Sequence, residues 1–381
     1  MSTNSKNPFS PSFGKTPGLY IDRGEVKEDI VRNLEVGDDL FQTTLVSGPR
    51  GSGKTALLSE VSSHFKGQKN WVVINLSASE NILKAVVVST YNQISGELKK
   101  MADKGLDVKI SVFGIEADIS RPGMQSEDDV ALRMALEHLL QTLKKKKMNL
   151  LVIIDEIEDT ERLRTFTSLY QIMIRENYPI NLLMSGLPQN ITRLQNEDGL
   201  TFLLRANRIE LMPIELSLIK ECYEDIFPES DVMATARAAY LTQGYAYAFQ
   251  LMGYLLWRRD PGSVTAESID AIIKEYKRNL YRKAYQKIFM ELSAKDEEFV
   301  VAMARSQDRQ VKLSEIYKYM NCTEGYAQTY RRRMMTLGLI RQAKYGYVEF
   351  VLPFFKEYIV EEHLAFQALL GEADDTGDLL G

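Results

Sequence analysis

The stretch Gly48-Pro49-Arg50-Gly51-Ser52-Gly53-Lys54-Thr55 decides how this chain folds. It fits G-x-x-x-x-G-K-[ST], a phosphate-cradling pattern, and stands between the two elements that such a cradle requires. Thr43-Thr44-Leu45-Val46-Ser47 before it is a short β-prone run, and Ala56-Leu57-Leu58-Ser59-Glu60-Val61 after it opens a helical pattern. A strand aims the loop, glycines let backbone N–H groups turn inward around an anion, and the helix N-terminus adds partial positive charge. Lys54 is predicted to lie along the β- and γ-phosphates, and the Thr55 hydroxyl to ligate Mg²⁺. The bare pattern arises by chance in roughly one or two chains in a hundred of this length at average glycine usage, so the flanks carry the weight. Together they predict a site for a nucleoside triphosphate.

A second element bears on hydrolysis. Leu151-Val152-Ile153-Ile154-Asp155-Glu156 is an apolar strand ending in two carboxylates. At the C-terminal edge of a parallel sheet, where ligands bind, Asp155 can hold the Mg²⁺ shell and Glu156 can orient the attacking water. The plainer alternative is that Asp155 and Glu156 cap the following helix. Ser185, at the end of Leu182-Leu183-Met184-Ser185, is placed to touch the γ-phosphate or that water, or is an ordinary strand-to-loop serine. Asn75, ending the second strand, can bond Glu156 and hold it back until a partner binds, or is an ordinary strand-end asparagine. Arg205 and Arg208, just before and within the last strand, can reach a nucleotide on a neighbouring subunit or lie in surface salt bridges.

Around these motifs the pattern alternates. Strands are predicted at 43–47, 72–76, 150–154, 181–185 and 208–211, with helices at 54–66, 79–103, 126–147 and 159–177. Such alternation implies right-handed crossovers and a parallel sheet covered on both faces. Asp22-Arg23-Gly24-Glu25 reads as a capping box with Asp22 as N-cap, opening a helix through Leu34. A hairpin is predicted at 106–123 inside one crossover, and Lys144-Lys145-Lys146-Lys147 reads as a favourable helix C-terminus. After Pro213 the strand signal stops and helices are expected to about 280. Then come a short helix (313–320), a turn, a longer helix (324–337) and two β-prone pieces around Lys344-Tyr345-Gly346. Helix-turn-helix followed by a hairpin is the winged-helix pattern.

Composition narrows the class. With 381 residues, 45% hydrophobic and 26% charged, the chain suits two or three globular domains, and no apolar run is long enough to span a membrane. Cys222 and Cys322 lack metal-ligand spacing, and His64, His138 and His363 are isolated; no secretory leader is visible, so a reducing, cytoplasmic setting is expected. The net charge of −5 excludes a uniformly nucleic-acid-coating protein, yet residues 312–348 carry a local balance of about +5. The tail from Glu372 to Asp378 is acidic.

The P-loop Gly48 to Thr55, the run Ile153-Ile154-Asp155-Glu156 and the segment Arg205 to Pro213 together resemble the AAA+ ATPases. The branch is that shared by origin-recognition-type initiators and archaeal-type, STAND-like ATPases. The resemblance covers most of the chain. It implies an α/β P-loop core with a five-stranded sheet of order 5-1-4-3-2, a helical lid and a C-terminal winged helix. The expected boundaries are an arm at 1–20, the core at 21–213, the lid at 214–284, the winged helix at 285–365 and the tail at 366–381. It also implies ATP or ADP with Mg²⁺ as ligands and an ATPase activity. Asp155 and Glu156 take the Walker B roles, Ser185 the sensor position and Arg205 the arginine finger. Asn7-Pro8-Phe9-Ser10-Pro11-Ser12-Phe13-Gly14 and Ile21-Asp22-Arg23-Gly24 resemble the lead-in of bacterial members, where the segment lines the adenine side and adds Arg23 to the nucleotide-binding set.

The chain departs from that pattern at Gln243-Gly244-Tyr245-Ala246-Tyr247-Ala248-Phe249-Gln250, where many relatives carry a lid arginine or a Gly-x-Pro. Slow or partner-dependent turnover is the expectation. In the winged helix, Arg331, Arg332 and Arg333 are candidates for duplex DNA, but successive helical residues point about 100° apart and cannot all face one groove. Docking to a protein partner, or self-assembly, is the alternative.

Overall fold

Leu150, Leu151, Val152, Ile153 and Ile154 are all buried, as a strand covered on both faces must be, and they centre the first of two units. In the computed structural model, which describes residues 6–12, 18–23, 25–78, 81–103 and 127–364, one unit comprises Gly24–Ser47 and Lys54–Leu211. The other comprises Met1–Arg23, Gly48–Gly53 and Met212–Gly381. The predicted hairpin at 106–123 and the acidic tail at 366–381 lie outside the described residues.

The first unit, the sheet unit, holds β1 (Thr43–Ser47), β2 (Trp71–Ser77), β3 (Asn149–Ile157), β4 (Ile180–Gly186) and β5 (Asn207–Glu210). All pairings are parallel and the order is β2-β3-β4-β1-β5, which from the other edge is the predicted 5-1-4-3-2. Register brings Ser47 beside Gly186, Val46 beside Ser185 and Ser77 beside Asp155. The strand ends that carry chemistry therefore share one edge. The helices are α1 (Val26–Val36), α2 (Lys54–Phe65), α3 (Ile82–Gln93), α4 (Gly96–Asp103), α5 (Glu127–Lys145), α6 (Glu161–Arg175) and α7 (Pro188–Gln195). Leu163, Phe166, Tyr170 and Met173 of α6 join Val152, Leu182 and Met184 of the sheet in one apolar cluster.

Three sequence expectations change here, and one short helix stands where none was expected. The capping box at Asp22 is absent: α1 starts after Glu25, a left-handed residue (φ 64°) without a side-chain cap, and Asp22 accepts from the Arg23 N–H instead. The single helix predicted over 79–103 is two, because Ile94 turns extended and Gly96 takes φ 59°. The eight-residue α7 was too short to show a period, though Pro188 at its first position is a start signal. Finally, β3 continues through Ile157, so Asp155 and Glu156 lie within it rather than closing it.

The second, helical unit contains α8 (Leu216–Ile226), α9 (Val232–Thr242), α10 (Ala246–Arg259) and α11 (Ala266–Leu280), which runs on through a π-turn at Tyr281–Tyr285 into α12 (Gln286–Met290). Then follow α13 (Ala294–Arg305), β6 (Val311–Lys312), α14 (Leu313–Tyr319), α15 (Glu324–Thr336), β7 (Ile340–Lys344), β8 (Tyr347–Phe350) and α16 (Phe355–Tyr358). The last three strands form an antiparallel sheet in the order β6-β8-β7; the two-residue β6 is too short for a sequence period to show. Capping boxes start α11 (Thr265 with Ser268) and α13 (Ser293 with Asp296). The arm is built into this unit: Phe9 is buried among Tyr223, Phe227 and Phe249, and Gln250 of α10 bonds Ser10 N–H and the Leu19 carbonyl. Among the described residues no helix is long and apolar enough to cross a membrane.

Candidate functional site

Within the sheet unit the chemistry converges on Asp155. Lys54 and Thr55 open α2, and Lys54 is only 8% exposed. Thr55 Oγ1 donates to Asp155 Oδ2 at 2.6 Å. Ser185, fully buried, donates to Asp155 Oδ1, and the Glu156 N–H reaches the same oxygen at 3.0 Å. One carboxylate is thus held by three donors from α2, β4 and its own strand. The predicted metal pair, Thr55 and Asp155, is brought together. The Ser185 hydroxyl is turned onto Asp155, which makes it an orienting group for that carboxylate.

A hydroxyl and a carboxylate oxygen this close fit Mg²⁺, which takes hard oxygen ligands and draws most of its shell from phosphate and water. Among the described residues no group of three or more His, Cys, Asp or Glu could hold a metal ion.

Glu156 is exposed and left-handed at φ 54°. The β3–β4 register shifts between Ile154 (beside Met184) and Ile157 (beside Gly186), leaving one extra residue on β3. This is a β-bulge, and it releases Glu156 from the strict alternation of the strand. A positive φ at a non-glycine residue is a strained choice that packing must hold in place. Asn75 does not meet Glu156: its Nδ2 donates to Ser62 Oγ on α2. Arg205 ends a 3-10 turn at Thr201–Arg205 and Arg208 lies in β5; both are exposed, with no ion-pair partner among the described residues.

Within the helical unit lies the loop Gly48–Gly53. Gly51 (φ 70°) and Gly53 (φ 95°) are both left-handed, which only glycine adopts freely. The Ser52 N–H donates to the Pro49 carbonyl, while Ser52 Oγ, in a side chain 5% exposed, has no hydrogen-bond partner among the described residues. An orphaned hydroxyl in a glycine-rich turn is what a phosphate oxygen would satisfy. Arg23 donates to the Ser52 carbonyl and, at 2.9 Å, to the Met212 carbonyl. Burial pushes its guanidinium down to about 10, so it stays charged at neutral pH. Arg50 makes a bidentate pair with Glu291, at 3.1 and 2.8 Å.

Sequence reading passed over several of these groups. Tyr245 and Tyr247 stood only as a departure from a family pattern, yet the Tyr245 hydroxyl donates to the Arg50 carbonyl (3.0 Å) and the Tyr247 N–H to the Gly51 carbonyl (3.1 Å). Glu291 carried no signal, being some 240 positions from its partner. On the sheet unit, Arg164 pairs with Asp159 and Glu197, and holds the Asp159 carboxyl below its usual range.

Residues 28–184 match the AAA ATPase domain family, and residues 282–359 match a family described as a domain of unknown function (DUF8462). No curated protein matches the chain. Among solved structures it is similar to the Walker-type ATPase PABY2304 of Pyrococcus abyssi, at 13% identity over 90% of this chain and 96% of that one, with a TM-score of 0.57. It is also similar to the ORC2 protein of Aeropyrum pernix, described in ADPNP–ADP complexes, at 15% identity over 94% and 98%, with a TM-score of 0.59. At such identities the likeness is one of fold.

Proposed function

Because residues 28–184 are an AAA ATPase domain and the fold is that of origin-recognition-like AAA+ P-loop ATPases, we propose that the chain is a Mg²⁺-dependent ATP-binding and ATP-hydrolysing switch. In this reading its nucleotide state controls the C-terminal module at 285–365. The observation that carries it is the convergence of Thr55 and Ser185 on Asp155.

Each residue then has a task. The loop Gly48, Pro49, Arg50, Gly51, Ser52 and Gly53 cradles the phosphates, with Arg23 bracing it, and Lys54 neutralises charge on the β- and γ-phosphates. Thr55 and Asp155 would hold Mg²⁺, which would supply positive charge to offset the charge developing on the phosphates. Glu156 orients the attacking water and accepts its proton, and its exposure leaves it accessible to that water. Ser185 fixes the Asp155 carboxylate. Arg205, exposed and unpaired among the described residues, would complete the site of a neighbouring copy. Control of the module is supported by the Arg50–Glu291 pair, which joins the phosphate loop to the DUF8462 span.

The test is a pair of substitutions. Lys54→Ala should abolish nucleotide binding, and Glu156→Gln should bind ATP and lose turnover. Hydrolysis by Glu156→Gln at the wild-type rate would refute the assignment.

A second reading, duplex DNA as the module's target, has its own support. The helices α13, α14 and α15 with the sheet β6-β8-β7 suit a winged helix, and Tyr345 at the β7–β8 turn is 96% exposed beside Lys344. The arginine triplet contributes less than its charge suggests. Arg331 bonds Gln328 and Gln342, and Arg333 pairs with buried Asp296, which leaves Arg332 as the exposed, unpaired member among the described residues. Duplex binding at low salt with ATP, lost steeply as salt rises, would favour DNA; its absence would favour a protein partner or self-assembly.

A further inference from the structure

Three consecutive carbonyls of the phosphate loop are each bound from outside the loop. The Arg50 carbonyl accepts from the Tyr245 hydroxyl at 3.0 Å, the Gly51 carbonyl from the Tyr247 N–H at 3.1 Å, and the Ser52 carbonyl from Arg23. In a trans peptide the carbonyl of one residue and the N–H of the next point in opposite directions. Fixing these carbonyls therefore fixes where the N–H groups of Gly51, Ser52 and Gly53 point; that of Ser52 turns back onto the Pro49 carbonyl, which leaves those of Gly51 and Gly53 for an anion.

The fit is close. A Cβ on Gly51 would lie 2.2 Å from the Tyr245 hydroxyl oxygen, so the ring occupies the space that the glycine leaves. A Cβ on Gly53 would lie 3.1 Å from the Arg23 guanidinium and 3.6 Å from the Ala246 side chain. Burial raises the Tyr245 hydroxyl far above its ordinary range, so it stays protonated and can only donate to a carbonyl at working pH. The donors are themselves anchored. Tyr245 and Tyr247 sit at the start of α10, which is tied to the arm by Asn7, Ser10 and Gln250 and by Phe9 packed on Gly253.

We infer that Tyr245, the Tyr247 backbone N–H and Arg23 are positioning residues that pre-form the phosphate loop, so that the Gly51 and Gly53 amides are set before a phosphate arrives. This deepens the nucleotide-binding reading above and rests on it. Because the three contacts shape the loop itself, they act on di- and triphosphate alike. They do not sense the γ-phosphate.

The experiment compares wild type, Tyr245→Phe and Arg23→Ala in fluorescence titrations with ADP and with a non-hydrolysable ATP analogue, alongside steady-state turnover. Tyr245→Phe keeps the ring and removes only the donor. It should weaken both nucleotides by a similar factor of about fivefold to tenfold, raise KM and leave kcat within about twofold. Should Tyr245→Phe fold poorly by circular dichroism, Arg23→Ala provides the same comparison from the other side of the loop. Wild-type affinities in Tyr245→Phe and Arg23→Ala, or a loss confined to the triphosphate, would overturn the inference while leaving nucleotide binding intact. A wild-type chain that binds neither nucleotide would refute the parent reading instead.

Discussion

Removing the Glu291 carboxylate tests whether the phosphate loop communicates with the C-terminal module. Arg50 Nε and Nη2 meet Glu291 Oε2 and Oε1 at 3.1 and 2.8 Å, with side chains 32% and 44% exposed. Opposite charges about 4 Å apart attract by about 1 kcal/mol in bulk water and about 4 kcal/mol at an effective dielectric of 20. Solvent at both side chains and the entropy of holding them reduce this toward the 0–1 kcal/mol of surface pairs, and the bidentate geometry keeps it near the top, at about 1 kcal/mol. If the pair exists in only one nucleotide state, linkage requires that its loss change the ratio of ADP to ATP-analogue affinities by the same energy, about fivefold. The assay is titration of Glu291→Ala with both nucleotides at low and moderate salt. Adding Arg50→Ala to Glu291→Ala should produce no further change in the ratio, and raising salt should shrink the effect. An unchanged ratio in Glu291→Ala at low salt would refute the idea that this pair carries the nucleotide state to the module.

Three further outcomes are expected. Arg333→Ala leaves the buried Asp296 carboxylate with only its Ser293 bonds, and should lower stability by about 1–2 kcal/mol in urea unfolding, whereas exposed Arg332→Ala should stay within about 0.5 kcal/mol. Gly253→Ala drives a Cβ to within 2.3–2.5 Å of the Phe9 ring, so it should cost about 1–3 kcal/mol or free the arm, which limited proteolysis of residues 6–12 would register. Burial raises the Tyr223, Tyr276 and Tyr285 hydroxyls well above their ordinary range and the Cys222 thiol up to about 12. The unfolded chain releases these protons from about pH 8.5 to 10, so the native state holds more of them in that range and stability falls as pH rises. The urea midpoint should be lower at about pH 10.5 than at about pH 8; equal midpoints would contradict the burial of these groups.

What the sequence alone determined about this protein is what local chemistry dictates. Glycines at 51 and 53 ahead of Lys54 and Thr55 announce a loop with positive φ angles, and those angles are 70° and 95°. The unbroken apolar run before Asp155 announces a strand buried on both faces, and the alternation of strands and helices announces a parallel sheet. Each is a property of a few adjacent residues, so it is written where it acts. Tertiary structure decided the rest, because hydrogen bonds and charge pairs join residues whose separation leaves no trace in a local pattern. Ser185 turns onto Asp155 from a neighbouring strand, and Asn75 finds Ser62 instead of Glu156. Glu156 leaves the strand's alternation through a bulge that shows only in its register with β4. Tyr245, some 195 positions from Arg50, stands in sequence only within a stretch that departs from a family pattern, and in space it is a donor to the phosphate loop.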